Sequence, residues 1–370
     1  MLASVVLLLQ LASSVFAERS LSVRLSGAHS FAGVQSAIVT TSLTNTGDEE
    51  LILLNDPTSI LSDAPTNKFA VSLKNGMAPR FVGALVKYVP EEATSFTTIL
   101  PGKTVSIAHS LADAYDFARS GSGAYSIEPA SSVFLVLTED GIQEITADTI
   151  AHTAHLSVGL HPRSFIQETF SDDREVYDPE DGDDGSADAG DDDDVNDEDF
   201  APTPKFVGCS AARKKQIITA TRGAQRYARN AHTYLRRHNT TSPRYREWFG
   251  TFTSARHKRV LSNFRKISRR NFGSATYNCR CTRDWYAYVY PGQPGETWLC
   301  KGFWRAGSTG TDSKAGTLVH EASHWTATAG TDDVVYSQTG ARSLALREPG
   351  KAITNADSHE YFAENTPALS

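Results

Sequence analysis

Residues 316–338, GTLVHEASHWTATAGTDDVVYSQ, set two histidines four positions apart around a glutamate: His320, Glu321 and His324. A helix turns about 100° per residue, so positions i and i+4 share a face and both imidazoles can point at one ion. The carboxylate of Glu321, one step round the helix, can reach a water on that ion without binding the ion itself. These are two ligands and the base of a zinc hydrolase. Zinc acidifies the water and polarises a peptide carbonyl, while the glutamate takes the proton and hands it to the leaving amine.

Spacing alone leaves the third ligand open. A metzincin would carry glycine and then histidine at 327 and 330, where this chain has Ala327 and Gly330. A gluzincin would take a glutamate from a later helix, and Glu348 and Glu360 both lie in range. The remaining candidate is an aspartate of GTDDVVY, Asp332 or Asp333, reached as the chain turns back after a helix that ends at Gly330.

Other elements must hold this helix in place. Residues 211–237 repeat Ile217, Ala220, Ala224, Tyr227, Ala231 and Leu235 at helical spacing, which predicts a basic helix with one apolar face. Ser242-Pro243 has the N-cap and N1 residues of a second helix, expected to run to about Arg270. WYAYVYPGQPGETWLCKGFW, residues 285–304, reads as a β-hairpin with a Pro/Gly turn, and WLCKGFW as part of a strand. Residues 18–165 instead alternate short apolar runs (LSVRL, SAIVTTSL, ELILL, FAVSL, FVGALVKYV, KTVSIAHSL, SVFLVLT) with turn clusters, as in a small antiparallel β-sandwich. His152, His155 and His161 cluster loosely there, without the spacing of a metal site.

Charge divides the chain in the same place. Residues 1–204 hold 10 Lys and Arg against 32 Asp and Glu, and residues 205–370 hold 26 against 11. Much of the acid lies in residues 171–200, SDDREVYDPEDGDDGSADAGDDDDVNDEDF, a run too polar to fold alone. The basic half alone does not indicate nucleic-acid binding, because no recognition fold accompanies it; its charges are expected to meet the acidic run. MLASVVLLLQLASSVFA has the length and small-residue ending of a signal peptide, and no later run could span a membrane. An exported chain with four cysteines, Cys209, Cys279, Cys281 and Cys300, is expected to form two disulfides, and Cys279-Arg-Cys281 is too tight for a zinc knuckle. Asn239-Thr240-Thr241 is a glycosylation sequon.

HExxH followed by GTxDxxY resembles the aspzincin signature of the deuterolysin family of fungal metalloendopeptidases. SPRYREWFG, AYVYP, WLCKGFW, GTDSKAGTLVHEASH and NADSHEYFAEN extend the resemblance to the peptidyl-Lys metalloendopeptidases of mushrooms over essentially all of residues 205–370. The resemblance implies Asp333 as third ligand and Tyr336 as the residue facing the oxyanion. It also implies Cys209–Cys279 and Cys281–Cys300 pairings, and an S1′ pocket in which Asp357 and Glu360 hold a lysine ammonium. The family often has glycine where this chain has Ser337.

The expected protein is therefore a secreted, monomeric endopeptidase with one zinc ion, cutting on the amino side of lysine in protein substrates. Its fold class is α+β, with a mainly helical zincin-like domain and small sheet at 205–370. Before it come a signal peptide (1–17), a β-sandwich propeptide (18–170) and an acidic linker of the propeptide (171–204) that partners the mature domain. Ala201-Pro202-Thr203-Pro204-Lys205 would place a cut before lysine at the mature start. The rival readings are a deuterolysin-like protease of broader specificity and a non-catalytic basic binding protein; neither nucleic acid nor membrane is an expected partner.

Overall fold

The computed structural model describes residues 19–157 and 203–369. The expected signal peptide, His161 and the acidic run fall outside the described residues. Among those described, no helix is long and apolar enough to cross a membrane.

The N-terminal region is β-rich, with three four-stranded sheets. Strands Leu21–Gly27, Ile38–Asn45, Thr104–Ser110 and Asp148–Ile150 make one; Phe69–Leu73, Gly123–Pro129, His152–Leu156 and the short Ser30–Phe31 make another. Leu51–Leu54, Phe96–Ile99, Val133–Thr138 and Gly141–Thr146 make the third. Alternate residues of these strands, among them Val23, Leu43, Leu53, Val71, Ile127, Phe134 and Leu156, point into one shared apolar cluster. The period-2 pattern of the sequence is this inside–outside alternation. The expected pattern of purely antiparallel pairing fails in two places, since Leu21–Gly27 pairs with Asp148–Ile150, and His152–Leu156 with Ser30–Phe31, in parallel. His152 is buried and His155 exposed, so the structure does not gather them into a site.

One apolar run is split between the two halves. At the start of FVGALVKYV, Phe81 pairs with Tyr115 in a two-stranded N-terminal sheet, but the Leu85–Lys87 segment crosses to the C-terminal half and becomes the outermost strand of the sheet there. That sheet runs Lys205–Val207, Thr276–Asn278, Glu296–Leu299, Ala287–Val289, Leu85–Lys87, with the last two pairings antiparallel.

Eight helices complete the described C-terminal half: α1 Ala211–Arg237, α2 Pro243–Phe249, α3 Ser254–Ser268, α4 Lys301–Arg305, α5 Lys314–His324, α6 Ser337–Arg347, α7 Pro349–Ala352 and α8 Ala356–Glu364. The α1 span agrees with its periodicity, and Ser210 caps it by accepting from Arg213 N. A separate apolar cluster built on α1, α3, α5 and α8 gives this half its own core. Both expected disulfides are present, Cys209–Cys279 and Cys281–Cys300.

Three boundaries differ from the sequence reading. The second helix stops at Phe249 and restarts at Ser254, because Gly250 turns left-handed (φ 73°) where its Cα faces the Ala345 carbonyl. After the hairpin, residues 301–305 are helical rather than strand. The HExxH helix ends at His324, six residues before Gly330, as Trp325 goes extended and the Thr328 hydroxyl donates to the freed Trp325 carbonyl at 2.8 Å.

A Cβ at position 250 would lie 2.0 Å from Ala345 O and force an unfavourable φ. Gly250→Ala should therefore cost about 2 kcal/mol or more of stability, read as a lowered urea midpoint with an unchanged slope.

Candidate active site

α5 carries His320, Glu321 and His324 through the centre of the C-terminal half, packed against α1, α8 and the Ala287–Val289 strand. Every residue of α5 is buried. Ser313 caps its N-terminus by accepting from Gly316 N at 3.0 Å. Glu364, at the end of α8, accepts from Ser313 N at 2.9 Å and from Asp312 N at 3.1 Å, so its carboxyl oxygens face the exposed N–H groups at the start of α5.

The two imidazoles are oriented from behind. His324 Nδ1 lies 2.9 Å from the Thr331 carbonyl oxygen, which makes it the N–H donor and leaves Nε2 with a free lone pair. His320 Nδ1 lies 2.9 Å from Asp357 Oδ1 and 3.2 Å from Glu360 Oε2. Asp333 Oδ1 stands 3.2 Å from His320 Nε2 and 3.3 Å from His324 Nε2. The loop bearing it is tied to the start of α8. Asp332 N donates to Thr354 O at 2.8 Å, and the Asn355 side-chain oxygen accepts from Val334 N at 3.0 Å and Val335 N at 3.2 Å.

His320 Nε2, His324 Nε2, Asp333 Oδ1 and Glu321 Oε2 are buried and make no hydrogen bond among the described residues. Such orphaned atoms are costly unless something else satisfies them. Two imidazole nitrogens and a carboxylate oxygen, all within 4.8 Å of one another, fit a divalent zinc ion. His320, Asp357 and Glu360 also converge within that distance. That second cluster lies on the Nδ1 side of the ring, and an ammonium group fills it. Burial pushes the Glu321 carboxyl up to about 7, against the pull of the neighbouring imidazoles. Burial also opposes the charge of Asp333, but His324 and His320 outweigh it and hold the carboxyl well below the usual range.

The ammonium belongs to Lys87, in the strand that crossed over. Its Nζ is 2.9 Å from Asp312 Oδ1, 3.1 Å from Asp357 Oδ1 and 2.9 Å from Glu360 Oε2. The Tyr361 hydroxyl is 3.3 Å away, and it donates to Asp312 Oδ1 at 2.7 Å. Lys87, Asp357 and Glu360 side chains are all 0% exposed. Burial opposes the Lys87 charge, but Asp312, Asp357 and Glu360 together lift its pKa well above the ordinary lysine value.

Against this geometry, residues 234–364 match the aspzincin family, described as lysine-specific metallo-endopeptidase. The peptidyl-Lys metalloendopeptidase of Grifola frondosa is 40% identical over 99% of this chain and 98% of its own. The chain belongs to the aspzincin family. An extracellular protease of Aeromonas hydrophila is 34% identical over 89% of this chain and 88% of its own. Among solved structures, a zinc peptidase from Grifola frondosa is 46% identical, covering 44% of this chain and 100% of that chain, with a TM-score of 0.44. This aspzincin is a zinc metalloendopeptidase with a helical C-terminal region and a β-rich N-terminal region, and its substrates are peptides.

Of the candidates in this half, the structure brings together His320, Glu321, His324, Asp333, Asp357 and Glu360. Asp333, rather than Asp332, points at the histidine pair, and Glu348 stays outside it, in an exposed ion pair with Lys351. Tyr336 N-caps α6, its hydroxyl buried without a hydrogen-bond partner among the described residues and its ring edge-on to Tyr88 at 5.7 Å. Ser337, where the family often has glycine, adopts φ 69° and donates its N–H to Asp357 Oδ2 at 2.7 Å.

Sequence reasoning missed Asp312, Tyr361, Asn355 and Lys87. Asp312 lies in GTDSKAG, and Asn355 and Tyr361 lie in NADSHEYFAEN, segments valued there for resemblance rather than for a role. Lys87 had a signal of its own, since it is the only charged residue of FVGALVKYVP. Asn355→Ala would leave two loop N–H groups without their acceptor. It is expected to cost about 2–3 kcal/mol in urea unfolding of the metal-free aspzincin, more than an exposed Asn→Ala substitution would.

Proposed function

We propose that this aspzincin is a secreted zymogen whose mature domain, residues 205–370, hydrolyses peptide bonds on the amino side of lysine. The observation that carries the specificity is a lysine ammonium seated among Asp312, Asp357 and Glu360 next to the His320–His324–Asp333 donor set. A buried cavity with this much negative charge rejects neutral side chains, because its carboxylates would be left unpaired.

His320, His324 and Asp333 would hold one zinc ion, which supplies an acidified water and polarises the carbonyl before the lysine. Glu321, buried with Oε2 unpaired among the described residues, takes the proton of the attacking water and delivers it to the lysine backbone nitrogen as the C–N bond breaks. The Tyr336 hydroxyl, buried and without a hydrogen-bond partner among the described residues, would donate to the oxyanion. Once Leu85–Lys87 is gone, the Ala287–Val289 strand would be an edge that positions substrate backbone by adding it as an antiparallel neighbour. Asp357 links recognition to chemistry, since one carboxylate faces both the ammonium and the Nδ1 of His320.

The apolar, small-residue-terminated leader and the extracellular relative support secretion. Residues 18–170 would form the propeptide and residues 171–204 its acidic linker. Maturation would then cut before Lys205, and the placement of that residue bears on how. Lys205 opens the strand at the opposite edge of the five-stranded sheet, its N–H bonded to Ala275 O. At about 4.8 Å per strand, four steps separate the two edges by roughly 19 Å. A molecule cannot deliver this bond to its own cleft without losing that strand, so cleavage passes between molecules. Mixing wild type with the Glu321→Gln precursor should yield Glu321→Gln protein beginning at Lys205. Glu321→Gln processed equally well when expressed alone would assign maturation to another protease.

Digestion of a protein of known sequence, with the new N-termini mapped, tests the specificity. Lysine should head every new peptide; mixed residues would favour a broader protease, and no cleavage a binding protein. Asp312→Asn should lower kcat/KM on lysine peptides by about 10- to 100-fold, the loss of one charge-assisted contact.

A further inference from the structure

Resting on the lysine reading above, we infer that Val86–Lys87 is an internal substrate mimic. The N-terminal region keeps the enzyme latent by threading this one dipeptide through the cleft and filling the specificity pocket with Lys87.

The direction of the strand is the first argument. Leu85–Lys87 runs antiparallel to Ala287–Val289 with Lys87 opposite Ala287, Val86 opposite Tyr288 and Leu85 opposite Val289. Tyr286 N donates to Lys87 O at 2.9 Å, completing the ladder. A peptide substrate that adds to the same edge with its lysine in the same pocket and its scissile N–H against Glu321 would run the same way.

The position of the peptide bond is the second. Lys87 N donates to Glu321 Oε1 at 3.2 Å, and Val86 N donates to Asp333 Oδ2 at 2.7 Å. The amide that Glu321 would protonate in a substrate is therefore the one it already contacts. An incidental ion pair would satisfy the Lys87 charge without also aligning the backbone between the base and the metal donors.

The anchoring on both sides is the third. Before the dipeptide, Ala64 and Ala84 pack with Val86, Tyr88, Trp285 and Cys300 in a small buried cluster. Beyond it, Glu92 Oε2 accepts from Tyr286 OH at 2.7 Å, and Thr94 N donates to Asp284 Oδ2 at 3.0 Å. Asp63 pairs with Arg283 at 2.7 Å on the rim. Tyr88 covers the Tyr336 ring edge-on. A substrate is free to leave once bound, whereas this segment is held from both ends by the folded region it belongs to.

The test uses the full-length precursor carrying Glu321→Gln, so that it stays intact, loaded with zinc. Equilibrium binding is measured for a fluorescent peptide with a single lysine and for the same peptide with methionine in its place. The precursor should exclude both. Adding Lys87→Met should raise affinity for the lysine peptide at least about 100-fold and increase hydrogen exchange at the amides of residues 85–88. Lys87→Gln, which keeps a polar tip, serves in the same way should the methionine variant not be secreted. A double variant that still excludes the lysine peptide, with residues 85–88 still protected, would overturn the inference. Opening that admits both peptides equally would leave the mimic standing and sink the lysine reading instead.

Discussion

A lysine ammonium buried among three carboxylates is the interaction on which the other parts of this structure depend. Moving such charges out of water costs several kcal/mol per ion, and only close, well-hydrogen-bonded partners offset it. Lys87 meets that condition with Asp312, Asp357, Glu360 and the Tyr361 hydroxyl, all within 3.3 Å. Removing the cation alone would strand negative charge in a dry pocket, a change of about 3–5 kcal/mol. The pocket thus demands a cation of lysine's reach, and the demand is the same whether the cation arrives from a substrate or from the chain itself.

α8 translates that demand into the geometry of the metal donors. Asp357 and Glu360 lie one helical turn apart on the face that meets α5, so both carboxylates reach His320 Nδ1 as well as the ammonium. Four residues beyond Glu360, Glu364 grips Ser313 and Asp312 at the start of α5. Just before the helix, Asn355 holds the backbone that follows Asp333. One nine-residue helix therefore fixes the α5 N-terminus, the ring of His320 and, through its N-cap, the aspartate loop. The left-handed Asp312 and Ser337 both lie where these ties converge, which is where local backbone strain is expected to be tolerated.

Much of this was legible in the chain itself. HExxH put both imidazoles on one face because helical rotation is fixed, and the apolar spacing of α1 gave its limits because a long amphipathic helix has few other solutions. The third donor was not readable from spacing. Asp332 and Asp333 are chemically equal, and what separates them is a bridge from Asp332 to Asn355, a pairing 23 residues apart in sequence. Helix ends failed for a related reason. Gly250 reads as an ordinary loop-tolerant residue until the Ala345 carbonyl, almost a hundred residues later, leaves no room for a side chain. FVGALVKYV has the composition of a sandwich strand, but residues 83–89 are buried throughout, without the alternation of a half-exposed strand; Lys87 and a pocket assembled from distant segments hold its Leu85–Lys87 part in the C-terminal sheet.

That last point connects recognition with restraint. The N-terminal region could have covered the cleft with any well-packed surface, but an apolar lid over Asp357 and Glu360 would leave two buried carboxylates facing each other without a counter-ion. Supplying lysine removes the conflict and uses contacts the pocket already contains. The same logic sets a hazard under the proposed specificity, since each exposed lysine of the enzyme's own would be a potential cut site. Residues 205–370 contain 8 Lys beside 18 Arg, so most of their positive charge is on a side chain with a broader, planar head. Of those lysines, Lys314 is buried in α5 with its amine turned to the carbonyls of Trp304 and Ala306, and Lys205 is locked at its backbone in the edge strand. Lys87 differs from both in having its backbone extended along the cleft, the one presentation that the base, the metal donors and the pocket can read together.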